Sequence, residues 1–233
     1  MFQPASAASL LAFLLICATV VTAFLAGVWV SARRDSVNPL RRTLLVAIGA
    51  VLWLSAVCLI VQSGWLRGDQ RRLLVFAAAT NALILGVGLS PAGRWLSLLP
   101  LPALVAFQGF RLPLELVLHS WVAQGVIPST MTWSGNNWDI ISGVLALIVA
   151  PFCRRSIVWP WIANAVGLVL LGNVMRVAVL SSPVSFGWSI TPKLELIYHI
   201  PYAMIIPVCV GGALLGHIAL TRALLRRPGN AAN

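Results

Sequence analysis

Charge is what this sequence has least of. Only 9% of its 233 residues are Asp, Glu, Lys or Arg, where soluble globular domains carry about 25%. With 60% hydrophobic residues and a mean hydropathy of +0.94, that scarcity excludes a soluble domain. It leaves an all-α, polytopic transmembrane helix bundle embedded in a lipid bilayer. Acidic residues are scarcest of all, five against 16 Lys and Arg, for a formal net charge of +11. Such a balance would suit a nucleic-acid binder, but the arginines sit in short segments between apolar runs. That is the pattern of topology signals, so no nucleic-acid partner is expected. The four cysteines, Cys17, Cys58, Cys153 and Cys209, are scattered without disulfide or metal spacing, and neither a metal nor a cofactor is expected. No internal repeat or low-complexity tract is visible, so residues 1–233 read as one integral membrane domain.

The first apolar run, residues 10–30, has no positive charge before it and SARRDS after it. A secretory signal has the opposite layout, so the run reads as a retained first span with its N-terminus outside. Further spans are expected over residues 43–65, 73–89, 94–122, 139–151, 158–180 and 194–220, which makes seven and leaves the C-terminus cytoplasmic. Pro100 and Pro102 predict a break or kink in the fourth. Under this topology Arg33, Arg34, Arg41, Arg42, Arg94, Arg154, Arg155, Arg222, Arg226 and Arg227 are cytoplasmic. Arg67, Arg71, Arg72 and Lys193 are outside, so RGDQRR at residues 67–72 runs against the rule.

Ionisable residues inside the spans point to a site. A charge in hydrocarbon costs roughly 2.5–3.5 kcal/mol on insertion scales, so such groups face protein or water and need partners. In QGFRLPLELVLH, Arg111, Glu115 and His119 recur at four-residue spacing on one helix stripe. At 1.5 Å per residue, Glu115 lies about 6 Å and Arg111 about 12 Å below His119. Asp139 is expected at the outer start of the fifth span, either capping it or pairing with Arg176. Asn173 and Arg176 stand one turn apart near the outer end of the sixth, and Glu195 and His199 open the seventh. Glu115, Asp139, Arg176 and His199 are therefore expected in one layer beneath the outer face. The loop SGNN adds Asn136 and Asn137 as ligand-binding candidates beside Arg111, Glu115, His119, Asn173 and Glu195, with Trp133, Trp138 and Trp188 at the interface.

FRLPLELVLH followed by GVIPSTMTWSGNNWDIISG resembles a group of bacterial inner-membrane proteins. More distantly, the C-terminal half resembles the exosortase and archaeosortase family of membrane-embedded cysteine transpeptidases. The family order of Cys-Ser-Gly, then Asn-x-x-Arg, then His corresponds here to Ile141-Ser142-Gly143, Asn173-Val174-Met175-Arg176 and His199. Ile141 stands where the nucleophilic cysteine would be, so the resemblance implies the scaffold rather than the chemistry. It also implies a multi-pass protein of the bacterial inner membrane.

Three functions remain open on the sequence. The first is a non-catalytic protein whose Arg111 and Arg176 hold an anionic group of an exported peptide, a lipid head group or a partner membrane protein. A hydrolase or transpeptidase-like enzyme is the second, with His199 or Asp139 as general base, Arg176 on the developing charge and Ser142 or water attacking. A small transporter is the third, since broken helices carrying buried charge suit one.

Overall fold

The computed structural model describes residues 2–35 and 37–226, so Arg227 lies outside the described residues. The helices in chain order are α1 (Ala7–Arg34), α2 (Pro39–Gln62), α3 (Gln70–Leu89), α4 (Gly93–Leu96), α5 (Leu101–Phe107), α6 (Arg111–Ala123), α7 (Ile140–Val149), α8 (Val158–Ser181) and α9 (Gly211–Leu225). The described residues contain no strand. Six helical stretches are long and apolar enough to cross a membrane: α1, α2, α3, α5 with α6 as Leu101–Ala123, α8, and Tyr202–Leu225 ending in α9. The fifth expected span is shorter, α7 and a 3-10 turn forming the apolar helix Ile140–Arg154.

Local chemistry sets these boundaries. Ser6 caps α1, Asn38 caps α2 ahead of Pro39, and the Asp69 carboxylate accepts from the Arg71 amide at 2.8 Å to start α3. Gly64 and Gly68 supply the positive φ angles, 72° and 87°, of the α2–α3 turn. RGDQRR is thus a capped turn whose arginines have local work: Arg67 donates to the Tyr198 carbonyl and Arg72 to that of Trp65, each at 3.2 Å.

Proline moves two boundaries from their expected places. The fourth span begins at Leu101, with Pro102 in its first turn, and Arg94 and Trp95 fall in the separate one-turn α4. A 3-10 turn, Gln108–Phe110, joins α5 to α6. The last span starts at Tyr202, eight residues later than expected, because residues 194–201 form a short 3-10 turn within irregular chain that ends at Pro201. Within it a π-helical turn, Ile206–Val210, accommodates Pro207.

Contacts between distant residues define two ends of the bundle. At one, the Ala5 amide donates to Tyr202 Oη at 2.8 Å, the Trp121 indole to Ser9 Oγ at 3.1 Å, and the Asn173 amide to the Asn136 carbonyl at 2.7 Å. At the other, Arg34 donates to the Leu98 carbonyl at 2.6 Å, Arg222 to that of Ser90 at 2.9 Å, and Arg42 stacks over Trp95. Arg33, Arg41, Arg154, Arg155 and Arg226 sit with the second group by their place in the chain.

Burial separates centre from periphery. In the apolar windows of Leu101–Ala123 and Tyr202–Leu225, 61% of residues are buried, against 11% in α2, which faces outward nearly all round. The two central spans carry Arg111, Glu115 and His217. Small residues permit their close packing. A methyl on Gly143 of α7 would lie 2.4 Å from the Leu112 amide nitrogen of α6, so the two backbones meet there.

Gly143→Ala is therefore expected to force α6 and α7 apart and to cost about 1–3 kcal/mol. Gly172→Ala in α8, where a methyl meets nothing within 4 Å, serves as the control and stays within about 0.5 kcal/mol of wild type. Equilibrium unfolding of the purified proteins in mixed micelles distinguishes the two.

Candidate functional site

Residues 124–139 turn back against the bundle, burying Val126, Ile127, Met131, Thr132 and Asn137 while Ser134, Asn136 and Trp138 stay exposed. As a result Asp139, at the start of α7, meets Arg111 at the start of α6. Arg111 Nε donates to Asp139 Oδ2 at 2.6 Å, and Nη2 pairs with Oδ1 to complete a two-pronged ion pair. Arg111 is 1% exposed and Asp139 5%, so the pair is taken out of both water and lipid. The Asp139 carboxylate makes no capping hydrogen bond to α7 and no bond to Arg176, contrary to the two roles expected of it. Pairing with a buried guanidinium outweighs capping, because an unpaired buried charge is far costlier than an uncapped amide.

The third prong of the guanidinium ties in two more helices. Arg111 Nη1 donates to the Gly167 carbonyl of α8 at 3.2 Å and meets His217 Nε2 of α9 at 3.1 Å. Arginine only donates, so Nε2 is the acceptor and the ring carries its proton on Nδ1. Nδ1 then donates to Asn164 Oδ1 at 2.9 Å, the Asn164 amide donates to Thr221 Oγ1 at 2.7 Å, and that hydroxyl donates to the His217 carbonyl at 2.8 Å. Every bond in this chain has one direction, and the imidazole is held neutral. Gly167 makes the approach possible: a methyl there would stand 2.3 Å from His217 Cε1.

Glu115 adds a second carboxylate beside the pair. Its Oε1 accepts from Asn137 Nδ2 at 2.9 Å, which ties the loop to α6, and Asn137 Oδ1 accepts from the Asp139 amide at 3.1 Å, which fixes the loop's own turn. Its Oε2 has no hydrogen-bond partner although the residue is only 2% exposed. Glu115, Asp139 and Arg111 together close one end of a cavity of about 120 Å³. The remaining walls are almost wholly apolar, from Leu73 and Ala77 of α3, Val174 and Ala178 of α8, and Cys209 and Ala213 of the last span. α3 and α8 face each other across this space, and among the described residues they form no packed helix pair.

The remaining candidates stand apart from this cluster. Asn173 Oδ1 accepts from Arg176 at 2.8 Å, its amide holds the Asn136 carbonyl, and Arg176 lies near Trp188, all in an exposed group at the end of α8. His119 is exposed and stacks on Trp133, with ring centroids 4.3 Å apart. Glu195 and His199 border a surface groove with Arg67 and Asp69, where His199 stacks on Phe2. Partial burial and the Arg67 guanidinium push the His199 imidazole below its ordinary range, while Glu195 pulls it back. No hydrogen bond or ion pair among the described residues joins Arg176 or His199 to Arg111, Glu115 or Asp139. Of the four residues expected in one layer, Glu115 and Asp139 share a buried cluster, while Arg176 and His199 stand in two separate surface groups. The loop turns Asp139 inward to pair with Arg111, whereas Arg176 projects from α8 to the surface and His199 sits in the irregular chain before the last span.

His217, Asn164 and Thr221 did not figure among the sequence candidates. His217 was the one signal available: an imidazole in the apolar run LLGHIAL is as anomalous as Arg111. Ile141 is 49% exposed, on the side of α7 away from the buried Ser142 and Gly143, and no histidine hydrogen-bonds to Ser142. Cys209 instead packs against Cys17, with their sulfurs 3.9 Å apart. Compared with protein-family models, curated proteins and solved structures, the chain matches none.

Arg111→Met strands Asp139 in the interior and is expected to cost about 3–5 kcal/mol. The double variant Arg111→Met with Asp139→Leu removes both charges and is expected to recover most of that loss. Denaturant titration of the four proteins in the cycle measures the recovery.

Proposed function

We propose that this chain is a non-catalytic binding protein of the bacterial inner membrane, built on an exosortase-like scaffold, whose ligand is a membrane-borne group seated in the cavity beside Glu115. The observation that carries the proposal is the pairing of an apolar chamber with a buried carboxylate oxygen that nothing in the described protein satisfies. Buried polar atoms are nearly always partnered, and the exceptions call for an explanation such as a ligand. Apolar walls with one convergent polar group are what a small binding site requires.

The same geometry argues against the other two readings. Catalysis needs a nucleophile and a free base within hydrogen-bond reach, whereas His199 and Arg176 stand away from Ser142, the nearby Asp139 carboxylate is committed to Arg111, and Ile141 turns outward from the cluster. Transport by alternating access favours two related halves around a midplane site, and the chain shows no repeat. Arg111, expected to hold an anionic ligand, has every prong of its guanidinium engaged by Asp139, Gly167 and His217. The open valence of the site is an acceptor.

In the proposed membrane orientation, seven passes arise when the folded-back loop and the short Ile140–Arg154 helix together count as one. The arginine-rich end faces the cytoplasm and the end carrying Trp133, Trp138 and Trp188 faces outward. Single cysteines test this in an otherwise cysteine-free chain. Ser134→Cys is expected to react with a membrane-impermeant maleimide in intact cells, and Ser156→Cys only after permeabilisation.

A phospholipid carrying a diazirine in its acyl chain tests the cavity itself. In vesicles it is expected to label Ala77, Val174 or Ala178 as well as outward residues of α2, and Ala178→Leu should abolish the cavity labelling while leaving α2 labelled. Labelling confined to the outward surface would defeat the binding proposal.

A further inference from the structure

Resting on this binding reading, we infer that the cavity receives the basic side chain of a partner transmembrane helix, lysine above all, inserted between α3 and α8 so that its ammonium meets Glu115 Oε2.

Charge comes first. The buried cluster holds one guanidinium and two carboxylates, and its histidine is kept neutral because Nε2 accepts from Arg111. Asp139 neutralises Arg111, and Glu115 is left with one oxygen held by Asn137 and one free. A cation beside Oε2 balances the cluster with Glu115 ionised, whereas an anionic or purely apolar occupant leaves the group either an unpaired charge or a protonated acid.

Size selects among cations. A dry cavity of roughly 150 Å³ takes one benzene, so 120 Å³ accommodates about five non-hydrogen atoms. A lysine side chain beyond its Cα has about that number, four methylenes for the apolar walls and one nitrogen for the carboxylate. An acyl chain can insert only a short stretch of itself and brings no cation for Oε2.

Depth excludes the aminophospholipid head group. Glu115 lies eight residues before the end of α6 at Ala123, about 12 Å along the helix axis. Head-group ammonium ions stay at the interface, whereas a membrane-spanning helix can carry a side chain at any depth. The lateral route is available because α3 and α8 line opposite sides of the cavity without packing together. Association also offsets the insertion cost of the partner's own lone lysine, so the pair is more stable together than either is alone in lipid.

The probe is a leucine-based transmembrane peptide bearing one lysine about 12 Å from its outer end, co-reconstituted with the full-length protein in phosphatidylcholine vesicles and followed by resonance energy transfer. Its association is expected to be at least tenfold tighter than that of the all-leucine peptide. In Glu115→Gln, which retains an acceptor for Asn137, the preference should vanish, and in Ala178→Leu, which fills the chamber without touching the cluster, it should vanish as well. The two variants back each other up should one fail to fold. Equal association of the two peptides, or a lysine preference that survives in both variants, overturns the inference. If the diazirine lipid enters the cavity and the lysine peptide is not preferred, the lysine assignment falls while the binding reading stands; if neither enters, both fall.

Discussion

The ion pair between Arg111 and Asp139 is the constraint around which the bundle is arranged. A guanidinium ten residues into a membrane span must be neutralised or excluded, and no carboxylate within α5 or α6 does it. The neutralising acid arrives on the loop that follows, which has to turn inward by some 16 residues of chain to deliver it. That inward turn shortens the next helix to Ile140–Arg154, since its starting point is already inside. It also brings α7 against α6 closely enough that Gly143 admits no side chain. Span length, loop path and helix packing in this region thus follow from one electrostatic requirement.

The remaining donors of Arg111 extend the constraint to α8 and α9. A chain of hydrogen bonds running through His217, Asn164 and Thr221 has a fixed direction in every link, which sets the histidine tautomer and the register of both helices. In lipid there is no hydrophobic driving force between helices, so close packing and interhelical hydrogen bonds of this kind hold them together. Gly167 is the steric counterpart of this chain, since the imidazole occupies the space of its missing side chain.

Much of the architecture was legible in the sequence, because hydropathy and length alone specify an all-α bundle of apolar helices. The significance of Arg111, Glu115, Asn137 and Asp139 was legible too, as ionisable and polar residues in or beside apolar runs. Their mutual geometry was not. Depth inferred from helical rise assumes that each span starts at the membrane surface, and the pairing of Asp139 with Arg111, ten residues into its own span, departs from that assumption. The displaced start of the last span has the same origin: apolar composition extends through residues 194–201, but Pro201 and the turns before it keep them out of the helix. His217 needed only the rule already applied to Arg111, and its partnership with Asn164 depends on α8 and α9 being neighbours, which no local pattern encodes.

A purely structural account of the buried cluster explains one carboxylate and leaves the second without a purpose. Asp139 suffices to neutralise Arg111, and Asn137 could be held by an uncharged amide at position 115 as well as by a carboxylate, since it needs only an acceptor. Glu115 instead contributes an additional negative charge and an unsatisfied oxygen at a site sealed from water. That arrangement weakens the isolated bundle, because an interior carboxylate without a full set of partners raises the free energy of the folded state. The penalty is relieved when a donor occupies the cavity or when the carboxyl takes up a proton, and only the donor lets the group keep its charge. A destabilising group placed where an incoming cation relieves it gives the protein a reason to prefer the occupied state, and it makes selectivity for that cation a consequence of the same charge that disfavours the empty one.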